Sequence, residues 1–165
     1  MDEAVERYRQ RLDGTASYGE VWEIVKDTVE SSLHKRRTSM MLFLDDLPIQ
    51  LGAYHSIGTN NIVLNRVLVQ IAEAAIKDRR IVNALVYNLL THEYLHALGE
   101  ISEDNVRRFV VEITKKCFGE DHIVAAIAVK SPWVLLKGIP LEGVNGPRRA
   151  MEIVKNFERA GKYIV

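Results

Sequence analysis

The chain has 165 residues, 47% of them hydrophobic and 27% charged, with 22 basic residues balanced by 22 acidic ones. That is enough apolar material for one globular domain with a substantial core, and a formal charge of zero argues against a strong field for nucleic acid or an anionic membrane. A single cysteine, Cys117, rules out an intramolecular disulfide and a cysteine zinc cluster.

The N-terminus reads Met-Asp-Glu-Ala without an apolar run. No segment approaches the roughly 20 apolar residues of a membrane span, so the expectation is a cytoplasmic protein with no membrane partner. Residues 2–12 and 18–34 read as two helices broken by Asp13-Gly14. They form a helical N-terminal part (residues 1–38) that ends in the basic cluster His34-Lys35-Arg36-Arg37, whose charge complements a helix C-terminus. Met40 to Leu44 is a buried strand, followed by the turn Asp45-Asp46-Leu47-Pro48. Adjacent aspartates are able to bind a hard cation, but a turn before proline accounts for them. Residues 49–55 and 62–64 are two further strands around Gly58-Thr59-Asn60-Asn61, and residues 67–77 form an amphipathic helix beneath the sheet. His55, on the first of these strands, reaches substrate only if that strand borders a cleft.

Residues 78–99 read as one helix, with Asp78 able to cap its start and Gly99 suited to end it. Ile81, Leu85, Leu89, His92 and His96 fall on one side, and Tyr87, Leu90, Tyr94 and Leu98 on the other. A helix apolar all round is a buried helix. It carries Thr91-His92-Glu93-Tyr94-Leu95-His96, which contains HExxH. Two histidines four apart lie one turn from each other on the same face, so two imidazole nitrogens reach a single metal ion. Glu93 projects roughly 100° around the helix, where it serves as a general base.

A catalytic zinc takes three protein ligands and leaves a position open. Gly99 permits a sharp turn, Ser102 then caps a second helix from Glu103 to about Cys117, and Glu103 in its first turn swings back towards the histidines. Glu103 is the first choice as third ligand, Asp104 the second and Glu100 the third, although acidic residues also suit a helix's first turn for its dipole alone. Beyond Glu120 the signals weaken. Residues 121–129 are a short apolar helix or strand, Ser131-Pro132-Trp133 interrupts it, residues 138–147 are loop-like, and residues 148–160 read as an amphipathic helix ending at Gly161. Residues 120–165 form a C-terminal extension of unassigned role.

The segment from His92 to Asp104 resembles the zincin metallopeptidases, and HExxHxxG followed by an acidic residue is similar to the small minimal members of that clan. Glu103 lies four places past Gly99, one more than in that pattern, and Ser102 occupies the place of the metzincin histidine. Glu112 or Glu120 are the fallback ligands if the arrangement follows longer gluzincins. The run from Ala53 to Asn65 looks like the zincin edge-strand region, which borders the cleft and pairs with an extended substrate. The resemblance implies an α+β, zincin-like fold, a small mixed sheet packed against the central HExxH helix and further helices.

It also implies a zinc-dependent peptidase acting on a peptide or protein, with His92, His96 and Glu103 on Zn2+ and Glu93 as base. Tyr163, His122 or Arg148 would be the oxyanion donor. Two other readings stand beside it. One is a non-catalytic or latent zinc-binding protein on the same fold. The other is a metal-dependent ribonuclease, since His-x-x-x-His followed by Leu-Gly is similar to small rRNA maturation factors. Those lack the glutamate and carry a third histidine, the reverse of this chain.

Overall fold

The computed structural model describes residues 2–141 and 148–158 and is an α+β structure of six helices and a four-stranded mixed sheet. Two capped helices open the chain. In α1 (Glu3–Asp13) the Asp2 side chain accepts from the Ala4 amide, and in α2 (Tyr18–Leu33) the Ser17 side chain accepts from that of Glu20. His34 ends α2 in the left-handed region, at φ 57°.

Strand β1 (Met41–Asp45) runs parallel to β3 (Asn61–Asn65), and β2 (Ala53–His55) pairs antiparallel with β3 on its far side. The order is β2-β3-β1-β4, where β4 is the short strand Glu152–Ile153, and this leaves β2 as an edge strand. The strand anticipated over residues 49–55 is confined to its last three residues. The cause is Asn65, which is fully buried and donates through Nδ2 to the carbonyls of Leu47, Pro48 and Leu51. Those three carbonyls are drawn into a loop around one side chain and do not join the sheet. The Asn65 Oδ1 also accepts from Val67 N at 3.1 Å and so caps α3 (Arg66–Ile76).

Helix α4 (Arg79–Ala97) starts on the cap foreseen for it, with Asp78 Oδ1 accepting from Arg80 N at 3.0 Å. It is buried on nearly every side and touches α1, α2, α3, β2 and β3, together with the later helices α5 (Glu103–Phe118) and α6 (Ile123–Lys130). Tyr94, inside the HExxH segment, faces away from the histidines and meets Trp22 of α2 edge to face, centroids 4.8 Å apart. Its hydroxyl accepts from Arg37 N at 2.7 Å. Arg37 in turn donates to the carbonyl of Ala97 at the C-terminus of α4 and to that of Thr59. The basic cluster is thus engaged within the fold: Arg36 pairs with Asp27, and Arg37 ties the end of α4 to the β2–β3 turn. On the other flank Gly52, just before β2, lies against α4: an added Cβ would stand 2.7 Å from Leu89 Cδ2, so a larger residue there would have to displace the end of that side chain.

Helices α5 (Glu103–Phe118) and α6 (Ile123–Lys130) complete the layer against α4, and a short 3-10 turn, Pro132–Leu136, follows. Cys117 is free and buried, its thiol pushed up by burial. The amphipathic helix expected over residues 148–160 is overturned. Residues 148–158 hold no helix. They run along the sheet, where β4 (Glu152–Ile153) pairs antiparallel with β1 and Val154 N donates to Leu42 O. Tertiary pairing outweighs the helical period here: Arg148 and Arg149 reach Asp45 and Asp46, and the Phe157 ring stacks on Trp22 at 4.7 Å. The proposed end of that helix at Gly161 lies outside the described residues. Among the described residues, no helix is long and apolar enough to cross a membrane.

Candidate metal centre

His92 and His96 sit in the last two turns of α4, on the face turned towards α5, with ring centroids 5.0 Å apart. The chain leaves α4 through Gly99, whose φ of 109° bends it back at once. Ser102 caps α5 by accepting from Asn105 N, and Glu103 is the first helical residue. This tight corner carries Glu103 onto both imidazoles: its Oε2 lies 2.9 Å from His92 Nε2 and its Oε1 lies 2.8 Å from His96 Nε2. Among the described residues these three form the one group of histidine, cysteine or acidic side chains able to hold a metal, with ligand atoms all within 4.8 Å of one another.

The other acidic candidates are elsewhere. Glu100 Oε1 accepts from Ser102 N and Asn105 Nδ2, bracing the corner, while Asp104 is exposed and outside the group. Glu112 and Glu120 are exposed on or beyond the later turns of α5.

The protonation of the cluster follows from its partners. His96 Nδ1 lies 2.7 Å from the Glu100 carbonyl oxygen, which only accepts, so Nδ1 carries the hydrogen. In the uncharged form that leaves the lone pair of Nε2 facing a carboxylate oxygen 2.8 Å away. Two acceptors that close require a cation or a proton between them. Burial lowers the pKa of His92, which favours its neutral, ligating form. At Glu103 nearby charge outweighs burial: burial raises its carboxyl, but the two histidines hold it below the usual value. The donor set of two imidazole nitrogens and one carboxylate suits zinc.

Glu93 lies beside this group and is 8% exposed. Burial first, and then the charge of Glu103, push its carboxyl up to about 8, against the lowering effect of the His55 backbone. That contact follows from strand alternation. Gly52 O accepts from Asn65 N across to β3, so the backbone groups of Ala53 and His55 point away from β3, to the free edge.

The three ligand candidates and Glu93 line an open cleft of about 1060 Å³. Residues 50–55, including β2, form one wall, and α5, α6 and the 3-10 turn form the other. His55 also lines it, with Nε2 bonded to Thr59 O. His122 and Arg148 are placed outside it: His122 caps α6 and bonds Asp13, and Arg148 pairs with Asp45. Tyr163 lies outside the described residues. The aspartates of the first turn are tied to arginines, Asp45 to Arg148 and Asp46 to Arg66 and Arg149.

Several lining residues carry polar chemistry that the sequence reading passed over, Asn88 and Arg107 among them. Asn88 is one turn before His92, and Arg107 is one turn after Glu103 and has no ion pair among the described residues. Helical spacing from the motif was the available signal for both.

Comparison of the chain with protein-family models, with curated proteins and with solved structures finds no match in any of the three.

Proposed function

We propose that this chain is a zinc-dependent peptidase with a zincin-like active site. The observation that carries the reading is the donor set, His92, His96 and Glu103 converging within 4.8 Å on the floor of an open cleft with the Glu93 carboxyl alongside. His92 and His96 would hold the ion through Nε2 and Glu103 through its carboxylate, with the Nδ1–H of His96 anchored on Glu100 O. A bound zinc supplies Lewis acidity to a carbonyl oxygen and makes water a competent nucleophile near neutral pH.

Glu93 accepts a proton from the attacking water on a carboxylate oxygen and gives it to the departing amine nitrogen. A buried carboxyl raised to about 8 is a ready acid for the second transfer, and cationic charge at the ligand cluster favours its ionised form for the first. The outward backbone groups of Ala53 and the carbonyl of His55 on edge strand β2 offer main-chain hydrogen bonds to an extended peptide. A buried, unpaired Cys117 fits a cytoplasmic setting.

The first test is metal content. Purified protein is expected to carry about one zinc per chain, and His96→Ala to lose it on dialysis. Glu93→Gln is expected to keep the zinc while peptide hydrolysis falls by at least about 100-fold. Wild-type activity in that variant would remove Glu93 from its role.

One observation favours a second reading. Arg107, Arg108 and Lys130 line the wall formed by α5 and α6, a run of cations suited to a phosphate backbone. Zinc-dependent cleavage of RNA, with no peptide cleaved, would decide for a ribonuclease.

A further inference from the structure

Glu103, Arg107, Val110 and Val111 of α5 line the cleft at the spacing of one helical stripe. Arg107 therefore stands on the cleft wall between the candidate metal ligand and an apolar stretch. It is exposed and makes no ion pair among the described residues. An acid four places before a base is the favoured orientation for a helical ion pair, and Glu103 occupies that place. Both of its carboxylate oxygens instead face the imidazoles of His92 and His96, so the metal cluster takes the partner that Arg107 would otherwise have. The guanidinium is close to that cluster: burial is the largest effect lowering the pKa of His92, and the Arg107 charge adds to it.

The rest of the lining gives this cation no internal neutraliser. Three acidic side chains line the cleft, and each is committed: Glu103 to the imidazoles, Glu100 to Ser102 N and Asn105 Nδ2, and Glu93 to a buried position beside the cluster. No lysine, arginine or carboxylate lies among the lining residues of the β2 side, between 50 and 57. Lys130 and Arg108 add positive charge on the same side as Arg107, and Arg108 has only Glu112 at 3.8 Å. We infer that Arg107 is the specificity residue of this cleft and receives a substrate carboxylate, from an acidic side chain or a peptide C-terminus, beside the metal cluster. The inference rests on the peptidase reading for its substrate class. A guanidinium meets a carboxylate through two parallel hydrogen bonds, a geometry that the isosteric amide does not match. Arg107 positions substrate by this argument and takes no part in bond cleavage.

The experiment uses peptides paired by charge. One arm sets Glu against Gln at each position flanking the scissile bond, and the other sets a free C-terminus against its amide. Cleavage is followed with the zinc-loaded wild type, and binding of the same peptides with zinc-loaded Glu93→Gln. In one arm the carboxylate member is expected to bind more tightly and to show kcat/KM at least about tenfold higher. The arm that responds identifies the source of the carboxylate. Arg107→Met is expected to bring the pair within about threefold, Arg107→Lys to restore part of the ratio, and Arg107→Glu to turn the preference towards a lysine-bearing peptide. The wild-type ratio is also expected to shrink in about 0.5 M salt.

Peptides cleaved with every pair equal within about twofold would overturn the inference and leave the peptidase reading intact. A preference for the carboxylate that survives Arg107→Met would overturn it as well. Carboxylate-selective binding to Glu93→Gln without any peptide cleavage by the wild type would do the reverse, since the subsite would stand and the catalytic reading would fall. Zinc-dependent cleavage of RNA with no peptide bound would overturn both.

Discussion

Asp46 shows how much one carboxylate contributes away from the cleft. Its Oδ1 accepts from Arg66 Nε at 2.9 Å and from Arg149, and its Oδ2 accepts from the backbone N of Arg149 at 2.8 Å. Hydrogen bonds from Arg149, then from Arg66, hold its carboxyl far below the ordinary carboxylate value of 3.8. A depressed folded pKa means that the stabilisation is complete above the unfolded value and is lost as pH falls through the folded one. Asp46→Asn is therefore expected to cost about 2 kcal/mol at pH 7, an amount typical of hydrogen bonds to charged groups. The cost should be unchanged at about pH 5 and should shrink below about pH 4, which urea denaturation at several pH values reads directly. A gap that grew on acidification would contradict the assignment.

Among the elements, the corner between α4 and α5 matters most, because it converts a helical motif into a three-sided group. Gly99 occupies φ 109°, and an added Cβ there would meet no heavy atom within 4 Å. The penalty for Gly99→Ala is thus backbone strain alone, about 1–2 kcal/mol, or a Tm lower by about 4 °C. Because that corner delivers Glu103, the same variant is expected to bind zinc more weakly, as a competitive chelator titration would measure. A lower Tm with unchanged zinc affinity would show that the corner does not control the ligand.

The local character of this corner also explains why it was readable in the sequence. HExxH spacing, the Asp78 and Ser102 caps, and a glycine at the bend are all settled within a few residues, and Glu103 is only seven places from His96. Segment 148–158 was not readable, because its conformation depends on Asp45, Asp46 and Trp22, more than a hundred residues earlier. The unpaired Oδ1 of Asn88 was equally hidden, since the contact of its Nδ2 with Val124 O, beside that with Ala84 O, joins two separate helices.

At the scale of the whole molecule, the last described residues close a layer that the first helices leave open. Glu158 accepts from Trp22 Nε1 at 2.8 Å and from Met40 N at 3.2 Å, and it pairs with the fully buried Lys26. Lys26 has Glu23 as a second partner at 3.1 Å, so it remains paired when Glu158 is removed. Even so, Glu158→Ala takes three charged or polar donors out of contact with their common acceptor. The expected loss is about 3 kcal/mol in chemical denaturation. A loss below about 0.5 kcal/mol would mean that solvent replaces Glu158 without cost.

The stack of Phe157 on Trp22, and the edge-to-face contact of Trp22 with Tyr94, set an order on the birth of the protein. Synthesis runs from the N-terminus, so α4 and its two histidines leave the ribosome well before Phe157 and Glu158. Until those two residues arrive, Trp22 lacks one aromatic face, Lys26 lacks one of its carboxylates, and the back of the motif helix rests on an unfinished surface. Contacts this distant in sequence form late. A growing chain thus carries the proposed metal ligands before it has the packing that backs their helix, and that packing is completed only when residues 157 and 158 dock.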